Sequence, residues 1–264
     1  PMRCIGAVSR GIRLPVISRG ADLVDIVSSE LIKASECPRD PFPLRDRDIV
    51  GATESLLARA QGNYATLEDI AEDVRRKVPE GDVALLFPIL SRNRFGQILK
   101  GILRGVRGKV HILLSYPADE VGNLVMDPRE FFLRSGRLKG GLFDEKEYEQ
   151  VFGRYLHPFT GIDYVRYYRE MEPGRVEIHF ADTPLAALEF SKTVIAASIH
   201  ARRLHREILE QSGALVVSLD QLCSEPHREG MGYNPEFGLL GSNYTSDGTV
   251  KLFPRDSRFF ALDL

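Results

Sequence analysis

Residues 176–219 read VEIHFADTPLAALEFSKTVIAASIHARRLHREILEQSGALVVSL, and this stretch decides the fold. Short runs rich in apolar and β-branched residues alternate here with segments whose apolar residues recur at helical spacing. The predicted strands are 176–180, 193–198 and 215–219, and the predicted helical segments are 184–190 and 199–211. Such alternation is typical of parallel strands, because a helix provides the crossover between them. The stretch predicts a small β-α-β-α-β unit.

The alternation extends upstream. The predicted helices there are 22–33, 67–77 with Thr66 as N-cap, and 95–104, and the predicted buried strands are 48–52, 83–87 and 110–114. Residues 127–168 have weaker periodicity, with loops around one short helix at 144–152. We expect an α+β (mixed α/β) fold with central mixed sheets and flanking helices. We expect two domains, residues 2–135 and 136–264, with no sharp boundary between them, and a single domain is the alternative.

Composition excludes several classes of function. The 264 residues carry a formal net charge of −2, so the chain has no overall basic field that would attract nucleic acid. We find no apolar stretch long enough to span a bilayer and no signal-peptide h-region after Met2, and the three cysteines lack metal-type spacing. Walker A, GxGxxG, GxSxG and HExxH motifs are missing. We expect a cytoplasmic protein with neither nucleic acid nor membrane as a partner.

Polar residues follow the predicted strand 48–52. Hydroxyl groups and backbone donors after a buried strand hold phosphate or carboxylate oxygens, and a guanidinium binds such oxygens through two N–H groups. A glycine lets the backbone approach a ligand closely. The candidate residues are Thr53, Glu54, Ser55, Arg59, Gln61 and Gly62. A strand-to-helix connection with a surface arginine explains them equally well.

A second polar segment, Ser91-Arg92-Asn93-Arg94, follows the predicted strand 83–87, and Lys100 lies on the helix after it. Ligands of α/β proteins bind beyond the carboxyl ends of strands, so triphosphate oxygens or a substrate carboxylate are the expected targets. A solvated loop is the alternative.

A third segment contains Asp119, Glu120 and Asn123, after the predicted strand 110–114. Carboxylates and an amide in one turn suit a hard divalent cation, which prefers oxygen ligands and bridges phosphates. Acidic pairs are also common in exposed turns, so that interpretation stays open.

Two further loops contain candidate groups. His157 lies in a loop punctuated by Pro158 and Gly161, where either a structural histidine or a site residue fits the pattern. Near the end of the chain, Ser242 and Asn243 follow glycines in a segment able to close over a ligand. A packing or disordered tail is the alternative there.

The order of several segments is informative. They are Gly11-Ile12-Arg13-Leu14-Pro15, Gly20-Ala21-Asp22-Leu23, Asp48-Ile49-Val50 and Ala58-Arg59-Ala60-Gln61-Gly62. In this order, residues 3–125 resemble the coenzyme F420-0:L-glutamate ligase family, in which F420 names a deazaflavin cofactor and the last segment typically reads Ser-Lys-Ala-Glu-Gly. A bacterial branch of predicted ligases is similar through four more segments. These are Leu90-Ser91-Arg92-Asn93-Arg94-Phe95, residues 114–123, His157-Pro158-Phe159-Thr160-Gly161 and Leu240-Gly241-Ser242-Asn243.

The resemblance implies a ligase that forms a carbon–nitrogen bond between L-glutamate and a small-molecule acid through an acyl phosphate. GTP or ATP is the implied co-substrate, Mg²⁺ or Mn²⁺ the implied cofactor, and a homodimer the implied assembly. On this interpretation Arg59, Arg92 and Arg94 are catalytic and Asp119, Glu120 and Asn123 bind the metal. The nucleotide and substrate residues are Thr53, Glu54, Ser55, Gln61, Gly62, Ser91, Asn93, Lys100, Ser242 and Asn243. Residues 2–135 hold the nucleotide and metal site, and residues 136–264 complete it.

One departure from the family pattern limits this transfer. Active family members carry a metal-binding Asp-Thr pair directly after the strand that corresponds to 110–114, whereas this chain has Ser115-Tyr116-Pro117 there. A rearranged or lost metal site stays open, as does a folate-type acceptor in place of the deazaflavin. The alternative function is a non-catalytic ligand-binding or regulatory protein on the same scaffold. A third is a different phosphate-handling transferase.

Overall fold

The computed structural model describes residues 6–115, 126–135, 141–154, 156–240, 243–245 and 248–255. The helices are α1 Leu23–Ser35, α2 Glu54–Gln61, α3 Leu67–Lys77, α4 Gly96–Gly105, α5 Pro128–Ser135, α6 Glu145–Phe152, α7 Tyr164–Arg169 and α8 Arg202–Gln211, with a 3₁₀ helix at Pro184–Glu189. The strands are β1 Tyr64–Ala65, β2 Val83–Leu86, β3 Val110–Leu114, β4 Leu142–Asp144, β5 Val176–Ala181, β6 Thr193–Ala196, β7 Leu215–Ser218, β8 Asn243–Tyr244 and β9 Val250–Lys251. The predicted mixed α/β class is confirmed. Among these helices, none combines the length and the apolar character that a membrane crossing needs.

The chain forms two compact units. Unit 1 comprises Pro1–Asn63 and Pro254–Leu264, and unit 2 comprises Tyr64–Phe253. Both sheets belong to unit 2, and the larger sheet takes strands from both sides of residue 135. That residues 2–135 and 136–264 contribute to one ligand site stays a prediction.

The larger sheet has six strands within the described residues, in the order β4-β5-β3-β2-β6-β7. β4 is an antiparallel edge strand, and the other neighbours are parallel. The chain moves outward from β2 through β3 to β5, and then returns to β6 on the other side and continues to β7. Ligands of open α/β sheets bind at such a switch point, beyond the carboxyl ends of the strands.

Side chains alternate between the two faces of this sheet, and both faces are covered. One face contributes Val83, Leu85, Ile112, Leu114, Ile178 and Phe180 to the main core, together with residues of α3, α4 and α7. The other contributes Ala84, Leu86, Leu113, Val194 and Ala196, which pack with Ala186, Ala187 and Leu209. Burial on both faces explains why β2 and β3 are almost continuously apolar.

Helices α3 and α4 pack closely because α4 has glycines in the contact. A Cβ on Gly101 would lie 2.6 Å from Ile70 Cγ2, and one on Gly105 would lie 2.6 Å from Val74 Cβ. The beginning of α3 is fixed by a capping box between Thr66 and Asp69, as the N-cap prediction requires.

Buried carboxylates of α3 anchor the loop after β7. Asp73 Oδ2 accepts the backbone N–H of Cys223 at 2.8 Å and pairs with Lys77 Nζ at 3.1 Å, while Asp69 pairs with Arg228. Cys223 has a φ of 53° and is fully buried. The loop is therefore held by charged groups and not by packing alone.

In unit 1, the predicted strand 48–52 is wrong. No strand is assigned there among the described residues, and Ile49 is 95% exposed. Asp48 instead closes a turn, since its carboxylate accepts the N–H of Arg45 at 2.9 Å and its own N–H donates to the Arg45 carbonyl at 3.1 Å. The local hydrogen bonds of an aspartate outweigh the β preference of the two apolar residues after it.

Candidate functional site

The loop after β2, residues 87–95, begins at the switch point of the sheet. Phe87 has a φ of 52°, which a bulky side chain rarely adopts, and the following Pro88 restricts its backbone further. Its N–H donates to the Leu113 carbonyl at 2.8 Å. Its ring packs edge-on against the ring of His205, with the two ring centroids 5.3 Å apart. Backbone strain that the surroundings maintain is concentrated at binding sites, so this loop is a candidate.

Two tyrosines of α7 hold the middle of the loop. The Tyr168 hydroxyl donates to the Ile89 carbonyl at 2.6 Å and accepts the Ser91 N–H at 3.0 Å. The Tyr164 hydroxyl accepts the Arg92 N–H at 3.3 Å. The backbone around Ser91 is therefore held by a helix that is more than 70 residues away in the sequence.

His157 lies at the centre of a tight turn. Its ring Nδ1 accepts the backbone N–H groups of Phe159 at 3.3 Å and Thr160 at 3.2 Å. Its own N–H donates to the Ile162 carbonyl at 2.9 Å, and its carbonyl accepts the N–H of Gly161 at 2.8 Å. Because Nδ1 accepts, a neutral ring carries its proton on Nε2.

The loop after β2 and the His157 turn together line a cavity of about 240 Å³. Its lining residues are Leu90, Ser91, Arg92, Asn93, His157, Phe159, Thr160, Ile162 and Tyr164. Sites for drug-sized ligands measure about 300–1,000 Å³, so this cavity suits one small group rather than a whole nucleotide.

The polar lining of the cavity favours an anion. Arg92 contributes a guanidinium, and none of the described lining residues is acidic. Ser91 and Asn93 add a hydroxyl and an amide group. Such donors recognise carboxylate or phosphate oxygens.

In unit 1, the predicted residues after position 52 belong to α2. Thr53 is its N-cap, Glu54 is its first residue, and Arg59 is exposed in its last turn. Gly62 ends the helix with a φ of 63°, and a Cβ there would lie 2.7 Å from Arg19 Cδ. A glycine is thus needed for the helix end and for the arginine beside it.

The remaining α2 candidates are partly engaged in unit 1. Ser55 is half-buried, and Gln61 accepts the Arg255 N–H on its Oε1 at 2.8 Å and Arg255 Nη2 on its carbonyl at 3.0 Å. Thr53 also lines a wide cleft of about 1150 Å³, to which Arg45 contributes as well. The α2 segment therefore has structural contacts in addition to its predicted binding role.

The comparison with known families decides the affiliation. The family model described as F420-0:Gamma-glutamyl ligase matches residues 11–264, which include all the lining of the cavity. The chain belongs to the F420-0:gamma-glutamyl ligase family. The predicted class, a ligase that forms carbon–nitrogen bonds, is confirmed by this membership. Neither the curated proteins nor the solved structures gave a match.

In this member of the F420-0:gamma-glutamyl ligase family, the residues predicted after β2 divide into two groups. Ser91, Arg92 and Asn93 line the cavity. Arg94 has an exposed side chain and donates its N–H to Ser91 Oγ at 3.1 Å, and Lys100 lies on the exposed face of α4. That these residues share a ligand site with α2 stays a prediction.

The other predicted ligase residues fall in less fully described segments. Asp119, Glu120 and Asn123, the expected metal ligands, lie outside the described residues, as does Ser242. Asn243 begins β8 and is described by its backbone, which is opposite Lys251 of β9.

One polar cluster of this ligase-family chain was not predicted from the sequence. His111 of β3 and Glu177 and His179 of β5 place ligand atoms within 4.8 Å of one another. The available signal was an alternation of polar residues in the apolar strand VEIHF, with one histidine in VHILL. The proximity follows from the register of the two strands, which the residues alone do not specify.

Proposed function

We propose that this chain uses GTP or ATP to join L-glutamate to a carboxylate-bearing acceptor, such as a deazaflavin or folate-type cofactor precursor. Gamma-glutamyl ligation follows from the family. The nucleotide, the acceptor and an acyl phosphate intermediate are our proposal.

The observation that carries the proposal is the cavity formed by the loop after β2 and the His157 turn. In its described lining, the cavity has one cationic side chain, Arg92, beside polar and apolar residues. The loop that carries Arg92 begins at the switch point of the sheet, and the hydroxyl groups of Tyr164 and Tyr168 hold its backbone. All substrates of such a ligase are anions. We assign the cavity to one carboxylate or phosphoryl group, with Arg92 as its principal binding residue.

The chemistry requires two displacements. An oxygen of the acceptor carboxylate attacks the γ-phosphorus, and the nucleoside diphosphate leaves, which yields an acyl phosphate. The neutral amine of glutamate then attacks the acyl carbon, loses a proton, and inorganic phosphate leaves as the amide forms. Both steps develop charge on oxygens that fixed cationic donors stabilise, and both require oriented anionic reactants.

The divalent cation implied by the family would be held by Asp119, Glu120 and Asn123. Two carboxylates and an amide oxygen form a hard donor set, which fits Mg²⁺ or Mn²⁺. A cation bound there would neutralise phosphate charge.

The test is a turnover assay with GTP or ATP, Mg²⁺ or Mn²⁺, L-glutamate and a panel of deazaflavin and folate-type acids. We expect amide product by mass spectrometry and one phosphate released per amide formed. Ligand binding in calorimetry without any amide would instead support the non-catalytic alternative. Release of phosphate that does not depend on glutamate would favour a different phosphoryl transferase.

The cavity assignment has its own variant. Arg92→Ala is expected to weaken binding of the anionic substrate about 10–100-fold, since a charge-assisted hydrogen bond contributes about 1.5–3 kcal/mol. Arg203→Ala removes another exposed arginine, on α8, and is the matched control. Unchanged substrate binding in Arg92→Ala would remove the cavity from the proposal.

The homodimer is part of the same proposal, and sedimentation of the purified chain tests it.

A further inference from the structure

The pairing of β3 with β5 brings three potential metal ligands onto one side of the sheet. In the parallel register His111 lies opposite Glu177, and Leu113 lies opposite His179. Alternate residues of a strand point to the same face, so both histidines and the glutamate share the face that carries Leu113. This cluster has no residue in common with the cavity or with the metal ligands expected in the family.

The distances among the three side chains match those between ligands of a single ion. His111 Nδ1 lies 3.3 Å from His179 Nε2 and 3.2 Å from Glu177 Oε2, and His179 Nε2 lies 3.9 Å from the same oxygen. Ligands at about 2.0–2.1 Å from a tetrahedral Zn²⁺ are about 3.3 Å from one another. A slight movement of Glu177 would equalise the three separations.

The side chains are also supported from outside the cluster. Phe190 stacks on both imidazoles, with ring centroids 3.9 Å from His179 and 5.0 Å from His111. Lys109 Nζ donates to Glu177 Oε1 at 2.6 Å, which leaves Oε2 directed at the histidines. Metal ligands are usually oriented by such packing and hydrogen bonds.

Access and protonation fit a cation as well. The imidazoles are 10% and 12% exposed and Glu177 is 41% exposed, so the carboxylate is the side chain of the cluster most open to solvent. Burial, and then the neighbouring His111, lower the pKa of His179 to about 4, whereas the hydrogen bond from Lys109 lowers the pKa of Glu177. Neutral imidazole and ionised carboxylate are the forms that bind metals.

We propose that His111, Glu177 and His179 bind one divalent transition-metal ion of the Zn²⁺ type. Two imidazoles select such an ion over Mg²⁺ or Ca²⁺, which prefer oxygen ligands throughout. Three protein ligands leave a fourth position for water or a small anion. The alternative explanation of the same geometry is a direct hydrogen bond between the two imidazoles.

Titration with Co²⁺ tests the proposal on the full chain, without a polyhistidine extension and after chelator treatment. We expect one equivalent to bind, with the intense visible bands of four-coordinate cobalt and no thiolate-to-metal band. Zn²⁺ should displace Co²⁺, and a large excess of Mg²⁺ should not. Zn²⁺ should also raise the thermal midpoint of unfolding.

Three variants identify the ligands. His111→Ala and His179→Ala are each expected to weaken Co²⁺ binding by at least about 100-fold, and Glu177→Gln by about 10–100-fold. Glu177→Gln keeps an oxygen for Lys109 and lies at an exposed position, so it provides the comparison least affected by folding. His200→Ala removes an exposed histidine from a turn and should leave binding unchanged.

Circular dichroism of each metal-free variant establishes that it is folded. The proposal is overturned if the wild type binds no Co²⁺ more tightly than His111→Ala does, or if all variants retain one tight equivalent. Equal competition by Mg²⁺ would also overturn it. None of these readouts uses ligase turnover, so failure here is distinct from failure of the proposed reaction.

Discussion

Two segments with a similar order of residue types, residues 45–62 in unit 1 and residues 83–95 in unit 2, have different structures. In both, an apolar run is followed by at least one hydroxyl residue and at least one arginine. In unit 2 the run is the fully buried β2, paired on both sides. In unit 1 the run follows a turn, has no regular secondary structure and is exposed, with Ile49 in solvent. The difference shows that neighbouring strands, and not the run itself, determine whether apolar residues form a strand.

The same difference extends to the polar residues that follow. Tyr164 and Tyr168 hold the backbone at Ser91 and Arg92. At the corresponding place in unit 1, the Thr53 side chain makes no capping hydrogen bond to its helix. Preorganised donors bind anions better than mobile ones, because less entropy is lost on binding. The predictions below test this contrast.

The largest effect is expected for Tyr168→Ala. The ring is fully buried and packs edge-on against Phe95 and Tyr164. Its removal leaves a cavity, which should lower the free energy of unfolding by about 3–5 kcal/mol in chemical denaturation. A loss below about 1 kcal/mol would mean that the loop after β2 does not depend on this ring.

Tyr168→Phe isolates the hydroxyl group and is expected to cost about 1–3 kcal/mol, because the Ile89 carbonyl and the Ser91 N–H lose a partner. Arg92→Ala is the companion variant, since its exposed side chain should affect binding and not stability. Wild-type stability in Tyr168→Phe would contradict the assigned role of the hydroxyl.

Arg59→Ala tests the segment in unit 1. The side chain is exposed, so the free energy of unfolding should change by less than about 0.5 kcal/mol. If Arg59 is catalytic as predicted, ligase turnover should fall at least about tenfold, the loss of about 1.4 kcal/mol of transition-state stabilisation. Arg39→Ala, another exposed arginine of unit 1, is the control. Equal turnover in both variants would exclude Arg59 from the site.

Acid should destabilise the metal-free protein through His179. Its folded pKa is about 4 and its ordinary value is 6.5, so between these values the unfolded chain binds more protons. The stability present above pH 6.5 is therefore lost progressively as the pH falls towards 4. His179→Phe should flatten this part of the profile in denaturant titrations at several pH values, and His200→Ala should not. An identical slope in His179→Phe would refute the assignment.

The smallest effect is expected for Ile49→Ser. Because this side chain is exposed, the free energy of unfolding should change by less than about 0.5 kcal/mol. The same substitution at a buried strand position would lower the free energy of unfolding several times more. A large loss would therefore mean that residues 48–52 are covered in solution.

Local signals predicted most of unit 2. The Thr66 cap gave the beginning of α3, and continuous apolar runs gave β2 and β3. The sequence of α7, YVRYYR, is short and lacks a clear apolar period, so this helix was missed although its tyrosines hold the cavity loop. The hydrogen bond between Tyr168 and Ser91 joins residues far apart in the chain, and no local pattern encodes it.

The candidate site was predicted only in part, because local patterns do not encode contacts between residues that are far apart in the chain. Residue types identified Ser91, Arg92 and Asn93 as anion binders, and the His157 turn as an ambiguous loop. That the loop after β2 and the His157 turn line the same cavity depends on tertiary packing. His111, Glu177 and His179 were missed because strand register, which is set by the whole sheet, brings them together.

The burial of Cys223 has a practical consequence. Burial, with a contribution from Asp73, raises the pKa of this thiol far above its ordinary value, so the nucleophilic thiolate is scarce at neutral pH. Cys37 is only half-buried and accepts an alkylating reagent more readily. Modification of Cys223 thus requires the loop after β7 to open. The rate of alkylation of Cys223, measured by mass spectrometry of its peptide, therefore reports how often this loop opens, and no residue has to be introduced for the measurement.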